Sequence, residues 1–281
     1  MDTLLTAAAL PIIALCYYVY KKDNNKEPID LLLKLLGFGA LSVVPIIIGE
    51  LFVEDFTNVE KVTNFIEIFI KTFIGVAIFE EGFKWIFVKK QGYDNREFDE
   101  IYDIIIYSVF VSLGFALIEN IGYVFFSEHQ MVTAILRAIL SVPGHACFAI
   151  IMGYYLAKAK VAKINNNEKL YTQNICFSLL MPMLFHTMYD ALIEWYANTG
   201  NNMIILFFFL FDITMVVIGF IIVNKMSKVQ QNISTNLQSG TLAANDGHIE
   251  LVSEKPINFC PVCGNSVSVG SYCSKCGLKI R

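Results

Sequence analysis

Long runs of apolar residues separated by short polar connections occupy residues 1–226. An α-helix rises about 1.5 Å per residue, so about 20 apolar residues cross the hydrocarbon core of a bilayer. The runs that reach this length lie near residues 3–20, 30–53, 62–88, 101–126, 131–157, 171–197 and 203–223. The pattern therefore predicts an all-α, polytopic membrane helix bundle with about seven transmembrane helices.

The polar connections between these runs alternate in charge. Several basic residues occur in every second connection and after the last run: Lys21, Lys22 and Lys26; Lys89, Lys90 and Arg96; Lys158, Lys160, Lys163 and Lys169; Lys225 and Lys228. The connections in between, near residues 54–61, 127–130 and 198–202, carry few positive charges. Because basic loops are retained in the cytosol, we expect the N-terminus outside and the C-terminus in the cytosol. The first run lacks the basic flank and the cleavage site of a signal peptide, so we expect a retained helix.

The composition also favours a membrane protein. Hydrophobic residues make up 56% of the chain and charged residues 16%, and the mean hydropathy is +0.56. Soluble domains contain about half apolar and about a quarter charged residues, so the lipid bilayer is the expected environment. The formal net charge of −4 says little, because the placement of charges matters more than their sum. No nucleic-acid partner is expected.

The C-terminal part differs from the rest of the chain. Residues 227–258 are polar and low in aromatic residues, which is typical of a flexible linker between a membrane domain (1–226) and a small cytosolic domain (259–281). The small domain contains two C-x-x-C motifs, formed by Cys260, Cys263, Cys273 and Cys276. Two such motifs complete a tetrahedral four-cysteine site for structural Zn²⁺. Two disulfides are the alternative, but a reducing cytosol favours the metal. We therefore expect a C-terminal zinc ribbon that is structural or binds a cytosolic protein partner.

Three charged residues interrupt the third apolar run. Glu80, Glu81 and Lys84 lie within five residues of one another, and a charge at the centre of a membrane helix costs about 2.5–3.5 kcal/mol on insertion scales. On a helix, Lys84 is four residues after Glu80 and three after Glu81, so it can reach either carboxylate. The sequence leaves open whether this is a buried ion pair or part of a catalytic centre.

The next three runs supply further ionisable groups. They are Glu119 in the fourth run, His145 in the fifth, and His186 with Asp190 in the sixth. Each has a structural explanation, since Glu119 could only pair, His145 could be an interior histidine, and His186 with Asp190 could be a structural hydrogen-bonded pair. Arg137 is interpreted as an interface residue. Ionisable groups in membrane helices normally face the bundle interior or a water-filled cavity, so the combination favours a shared site.

The set suits two chemistries. A glutamate can act as the general base that activates a water molecule. Histidines and carboxylates can also hold a catalytic metal with an open position. Measured along the helices at about 1.5 Å per residue, the groups differ in depth, so they could meet only if the helices are tilted or offset.

Three ordered motifs resemble the PrsW family of intramembrane proteases, which is related to CAAX-processing and bacteriocin-processing membrane proteases. They are Glu80-Glu81-x-x-Lys84, Phe115-x-x-x-Glu119 and His186-x-x-x-Asp190. The resemblance implies cleavage of a membrane-associated protein in a bacterial plasma membrane; in the type member the substrate is a membrane-bound anti-sigma factor. It also implies that the glutamate pair activates water, that Glu119 and His186 line the site, and that Asp190 orients His186. His145 is added from the residues alone.

Two departures and two alternatives accompany this resemblance. Glu119 stands where the CAAX proteases have histidine, which makes prenyl-protein processing less expected, and the zinc ribbon lies outside the family's core.

A non-catalytic receptor or scaffold would use the buried charges only for pairing, and a proton-coupled transporter would use them for transport. No internal repeat or pair of broken helices favours the transporter. An enzyme requires Glu80, Glu81, Glu119 and His186 to converge within reach of one water molecule.

Overall fold

The structure of the chain, a computed structural model, describes residues 2–57, 62–238, 242–245 and 248–251. Its α-helices are α1 (Asp2–Lys22), α2 (Ile29–Thr57), α3 (Phe65–Thr72), α4 (Ile78–Phe87), α5 (Asp103–Phe126), α6 (Gln130–Ile139), α7 (Ser141–Ile164), α8 (Glu168–Thr199) and α9 (Asn202–Gln238). Two π-helical turns, Phe73–Ala77 and Val88–Tyr93, flank α4. The antiparallel strands β1 (Leu242–Asn245) and β2 (His248–Leu251) follow α9.

Six helical segments of the described chain are long and apolar enough to cross a membrane. They are Thr3–Lys22, Ile29–Val53, Asp103–Phe126, Gln130–Ile164, Glu168–Thr199 and Asn202–Ile233. These segments confirm the prediction of a multi-pass, helical membrane protein. The third predicted span corresponds to residues 65–93, where α3, a π-turn, α4 and a second π-turn follow one another without a break. A count of seven membrane crossings therefore stays a prediction.

The first π-turn determines which side chains α4 presents to the bundle. A π-turn inserts an extra residue into the helical repeat, and such insertions are frequent at functional sites. Asn64 begins the segment as the N-cap, where its side-chain oxygen accepts hydrogen bonds from the amides of Ile66 and Glu67. The π-turn of residues 73–77 comes just before the glutamate pair and rotates Glu80 and Glu81 relative to the face of α3.

Helix α5 lies at the centre of the bundle, and most of its side chains are buried. Glycines permit close contact with the helices on either side of it. A Cβ atom on Gly39 of α2 would lie 1.9 Å from the carbonyl oxygen of Val111, and one on Gly114 of α5 would lie 2.0 Å from that of Leu36. On the other side, Gly153 of α7 packs against the backbone of Ile105. This contact between backbones fixes α5, which carries Glu119, between α2 and α7.

Residues 227–238, at the start of the predicted linker, form the last part of α9. Two polar side chains of this stretch have partners in the bundle. The Ser227 hydroxyl donates to the carbonyl of Lys22 at 2.6 Å, and the side-chain oxygen of Gln230 accepts from the amide of Ile101 at 3.1 Å. A polar composition therefore does not prevent this stretch from packing as a helix. Cys260, Cys263, Cys273 and Cys276 lie outside the described residues, so the zinc ribbon stays a prediction.

Candidate active site

Helix α4 carries a buried cluster of three charged side chains. The exposed fractions of Glu80, Glu81 and Lys84 are 5%, 0% and 0%. The ammonium nitrogen of Lys84 lies 2.9 Å from Glu80 Oε2 and 2.9 Å from Glu81 Oε1. Lys84 therefore contacts both glutamates at once, through the i,i+3 and i,i+4 spacing expected from the sequence. One ammonium group between two carboxylates leaves an excess of negative charge, which other groups of the site must balance.

His186 and Asp190 on α8 face this cluster. Nδ1 of His186 lies 3.0 Å from Glu81 Oε1, and Nε2 lies 3.2 Å from Asp190 Oδ2. The same Nε2 is 3.9 Å from Glu80 Oε2. Each ring nitrogen of His186 thus contacts a carboxylate, which fixes the orientation of the imidazole between α4 and α8. Phe148 supports the ring from its face, with the two ring centroids 4.9 Å apart.

A second group of residues joins helices α5, α6 and α7. His145 Nε2 lies 2.9 Å from Glu119 Oε2, and its Nδ1 lies 3.4 Å from Lys84 Nζ, so His145 connects Glu119 to the α4 cluster. Arg137 donates to Glu119 Oε2 at 2.5 Å and to the side-chain oxygen of Asn120 at 2.6 Å. Arg137, which the sequence indicated as an interface residue, therefore also has partners inside the bundle. The α-helix is interrupted between α6 and α7 at Leu140, and Arg137 on α6 reaches across to α5.

Phe115, the first residue of the second motif, forms one wall of the site. The Lys84 ammonium lies 3.9 Å from the centroid of its ring. An ammonium over an aromatic face is attracted by about 2 kcal/mol or more when water is excluded. Phe115 therefore helps to hold Lys84 between the glutamates.

A cavity of about 910 Å³ opens beside these residues. Its charged and imidazole lining includes Glu50, Glu80, Glu119, Arg137, His145, His186 and Asp190. Glu81 and Lys84 do not line it and lie behind Glu80. The predicted site residues are thus brought together from four helices. The difference in depth expected from the sequence does not keep these side chains apart, because α5, α6, α7 and α8 each contribute a side chain that contacts the α4 cluster or its neighbours.

Glu50 also lines the cavity, although it was not among the site residues predicted from the sequence. It lies on α2, where Gly49 packs closely against Phe79; a Cβ atom there would lie 2.3 Å from the Phe79 ring. This contact holds Glu50 next to the start of the glutamate pair. A carboxylate in the apolar run of α2 was the available signal, because a lone acidic residue in a membrane helix normally faces a cavity or a partner.

Three side chains of the site are of the types that bind metal ions. Glu80, Glu81 and His145 each offer one ligand atom, and these atoms lie within 4.8 Å of one another. Glu81 Oε2 is also buried and has no hydrogen-bond partner in the described part of the chain. However, Lys84 Nζ lies within 3.4 Å of an atom from each of the three residues. An ammonium group and a dication compete for the same ligands and repel each other, so this set does not fit a metal while Lys84 keeps its position.

Comparison with known proteins identifies relatives over most of the membrane domain. A family model described as "PrsW family intramembrane metalloprotease" matches residues 27–233. Protease PrsW of Oceanobacillus iheyensis is 39% identical over 198 residues, which are 70% of this chain and 86% of the relative. Protease PrsW of Geobacillus kaustophilus is 39% identical over 194 residues, with 69% and 80% covered. Protease PrsW of Bacillus subtilis is 34% identical over 199 residues, with 70% and 86% covered. No solved structure matches the chain.

Proposed function

The chain belongs to the PrsW family of intramembrane proteases, and from that premise we propose that Glu80 activates water to hydrolyse a peptide bond of a membrane-associated protein. Family membership decides between an enzyme and the receptor or transporter alternatives. The observation that carries the choice of base is that Glu80 lines the cavity whereas Glu81 is fully enclosed. Only a carboxylate that reaches the cavity can take a proton from a water molecule next to the substrate.

The other charged groups have supporting roles in this proposal. Glu81 accepts from Lys84 and holds His186, so it fixes the groups on both sides of Glu80. Water attacks the carbonyl carbon of the scissile bond while Glu80 takes its proton, and Glu80 then passes that proton to the leaving amine nitrogen. The negative charge that develops on the carbonyl oxygen requires a positive group nearby. Arg137 lines the cavity and can supply that charge.

The position of the cavity suggests where the substrate is cut. Its walls include Leu51 near the end of α2 and Tyr196 near the end of α8. Both are close to the connections that carry few positive charges, and the positive-inside rule places those connections outside the cell. A volume of about 910 Å³ lies within the range of ligand-binding cavities, about 300–1,000 Å³, and leaves room for part of an extended peptide. The proposed substrate is therefore an extended segment of a membrane protein at the outer side of a bacterial plasma membrane.

The C-terminal ribbon has a separate role in the proposal. Cys260, Cys263, Cys273 and Cys276 would bind structural Zn²⁺, and all four ligand positions would be filled by cysteine. Such a site has no open position for catalysis. It would serve as a cytosolic domain that binds a protein partner, and it follows α9 in the chain.

The proposal is tested by labelling the new N-termini of membrane proteins in cells that carry the wild type or a single variant. Glu80→Gln keeps the shape of the side chain but removes the base, so the protease-dependent termini should disappear while the variant remains in the membrane. Glu67→Gln is the matched control, because Glu67 is an exposed glutamate of the same helical segment. Unchanged termini with Glu80→Gln would show that Glu80 is not the base.

A further inference from the structure

A second cluster of acidic side chains lies at the opposite end of the bundle from the candidate active site. Asp23 and Glu27 are in the connection after α1, Glu100 precedes α5, and Asp103 is the first residue of α5. On the same helix, Glu119 follows Asp103 by about 24 Å at 1.5 Å per residue. The cluster is therefore separate from the proposed peptidase site. It lies on the side of the lysine-rich connections, which the positive-inside rule places in the cytosol.

Three of these carboxylates are arranged like the ligands of a cation. Asp23, Glu100 and Asp103 each offer one oxygen, and these oxygens lie within 4.8 Å of one another. The exposed fractions of Asp23 and Asp103 are 4% and 0%. Carboxylates so close together and so well buried repel one another unless a cation or a shared proton lies between them.

The hydrogen bonds of the cluster leave one oxygen on each of the three carboxylates without an N–H or O–H donor in the described part of the chain. Asp23 Oδ2 accepts from the amide of Glu27 at 3.3 Å, and Asp103 Oδ2 accepts from the amide of Glu100 at 2.7 Å. Asp23 Oδ1, Asp103 Oδ1 and Glu100 Oε2 are buried and accept no hydrogen bond from an N–H or O–H group of the described residues. The carboxyl group of Glu27 lies within hydrogen-bonding distance of the Asp103 carboxyl. A buried carboxylate oxygen without a partner is costly, and three of them in one place are the donor set that a cation requires.

No basic side chain of the described chain forms an ion pair with these carboxylates. The two nearby lysines donate to backbone carbonyls instead. Lys26 binds the carbonyls at the end of α1, at 2.7 Å for Tyr20 and 2.5 Å for Asp23, and Lys160 binds the carbonyl of Phe98 at 3.1 Å.

We propose that Asp23, Glu100 and Asp103 bind a hard divalent cation, Mg²⁺ or Ca²⁺, at the cytosolic end of the bundle. Carboxylate oxygens are the ligands that these ions prefer, and their remaining positions are taken by water. Glu27 is the outer partner of the site, since it accepts from the Tyr107 hydroxyl and its amide holds Asp23.

The cation would join parts of the bundle that are distant in sequence. It would connect the α1–α2 connection to the start of α5. The adjacent Ile101 amide is already bound to Gln230 of α9, so the end of α9 would be fixed as well. Because α9 leads to the C-terminal part of the chain, occupancy of the site would stabilise the cytosolic end without taking part in peptide-bond hydrolysis.

The test uses the purified full-length protein in detergent and Mn²⁺ as a spectroscopic substitute for the two hard cations. Bound Mn²⁺ is counted by electron paramagnetic resonance, and Mg²⁺ and Ca²⁺ are added as competitors. Asp103→Asn should weaken binding at this site by roughly tenfold or more, because affinity depends on the number of charged ligands. Glu81→Gln, in the other cluster, should leave this binding unchanged.

Asp30→Asn is the matched control, because Asp30 is an exposed aspartate nearby that pairs only with the exposed Lys34. If Asp103→Asn fails to fold, Glu100→Gln replaces it, since Glu100 is only partly buried. Equal Mn²⁺ binding in the wild type and both ligand variants would overturn the proposal. The proposal would also be overturned if the wild type binds no Mn²⁺ and Asp103→Asn is more stable than the wild type without any cation. That result would show that the carboxyl groups share protons.

Discussion

The ammonium group of Lys84 lies 2.9 Å from Oε1 of Glu81, and both side chains are completely shielded from solvent. Lys84 also contacts Glu80 at the same distance and lies against the ring of Phe115. This position makes the lysine the centre of the glutamate pair. The position of Lys84 determines the orientation of the two glutamates and the free energy of burying their charges. It also determines whether a metal ion can bind to the same carboxylates.

Removal of Lys84 should destabilise the bundle. Lys84→Met leaves two buried carboxylates uncompensated, and breaking a buried pair by removing one partner costs about 3–5 kcal/mol. Lys84→Met combined with Glu81→Gln should recover part of that loss, because one of the unpaired charges is removed as well. Unfolding in detergent measures both values. Lys34→Met, at an exposed lysine, is the control and should change stability by less than about 1 kcal/mol.

We expect the zinc content of the purified protein to depend on whether the Lys84 ammonium lies between the glutamates. In a protein whose four tail cysteines are replaced by serine, we expect no stoichiometric zinc, because the ammonium lies among the ligand atoms of Glu80, Glu81 and His145. Adding Lys84→Ala should open that space and allow zinc to bind. Elemental analysis of the two purified proteins measures the difference. One zinc per chain with Lys84 present would show that the lysine moves aside and that the site is a metal centre.

Arg137 should not tolerate lysine. Its guanidinium donates from two nitrogens to Glu119 and Asn120, and lysine cannot reproduce this planar, two-pronged geometry. Arg137→Lys should therefore cost about 1.5–3 kcal/mol, the value of a hydrogen bond to a charged group, and should reduce the number of Glu80-dependent termini. Arg96→Lys, in an exposed connection, should leave both quantities unchanged. Normal cleavage by Arg137→Lys would mean that only the charge of Arg137 is needed.

Two glycines of α2 should respond differently to alanine. A Cβ atom on Gly39 would meet the backbone of Val111, whereas one on Gly37 meets nothing within 4 Å. Gly39→Ala must push α2 away from α5, and overpacking of this kind costs about 1–3 kcal/mol. Gly37→Ala should be neutral or slightly stabilising, since alanine is the better helix former. Thermal unfolding of the two variants distinguishes them, and equal midpoints would contradict the close α2–α5 contact.

Much of the fold followed from local features of the chain. Helices of membrane length were predicted because apolar runs must satisfy their own backbone hydrogen bonds in lipid. The i,i+4 spacings of Glu80 with Lys84 and of His186 with Asp190 were also readable, since 3.6 residues per turn place such pairs on one face. Both pairs are present, at 2.9 Å and 3.2 Å.

The contacts between helices required the tertiary structure. Nothing local shows that Arg137 meets Glu119, that Gly49 places Glu50 beside the pair, or that the enclosed glutamate is Glu81. These relationships depend on crossing angles and on π-turns, which are set by packing over the whole bundle. The sequence by itself determined which residues are ionisable and in what order they follow one another along the helices. The tertiary structure decided which of them meet, because distance between helices is a property of the packed bundle and of no single segment.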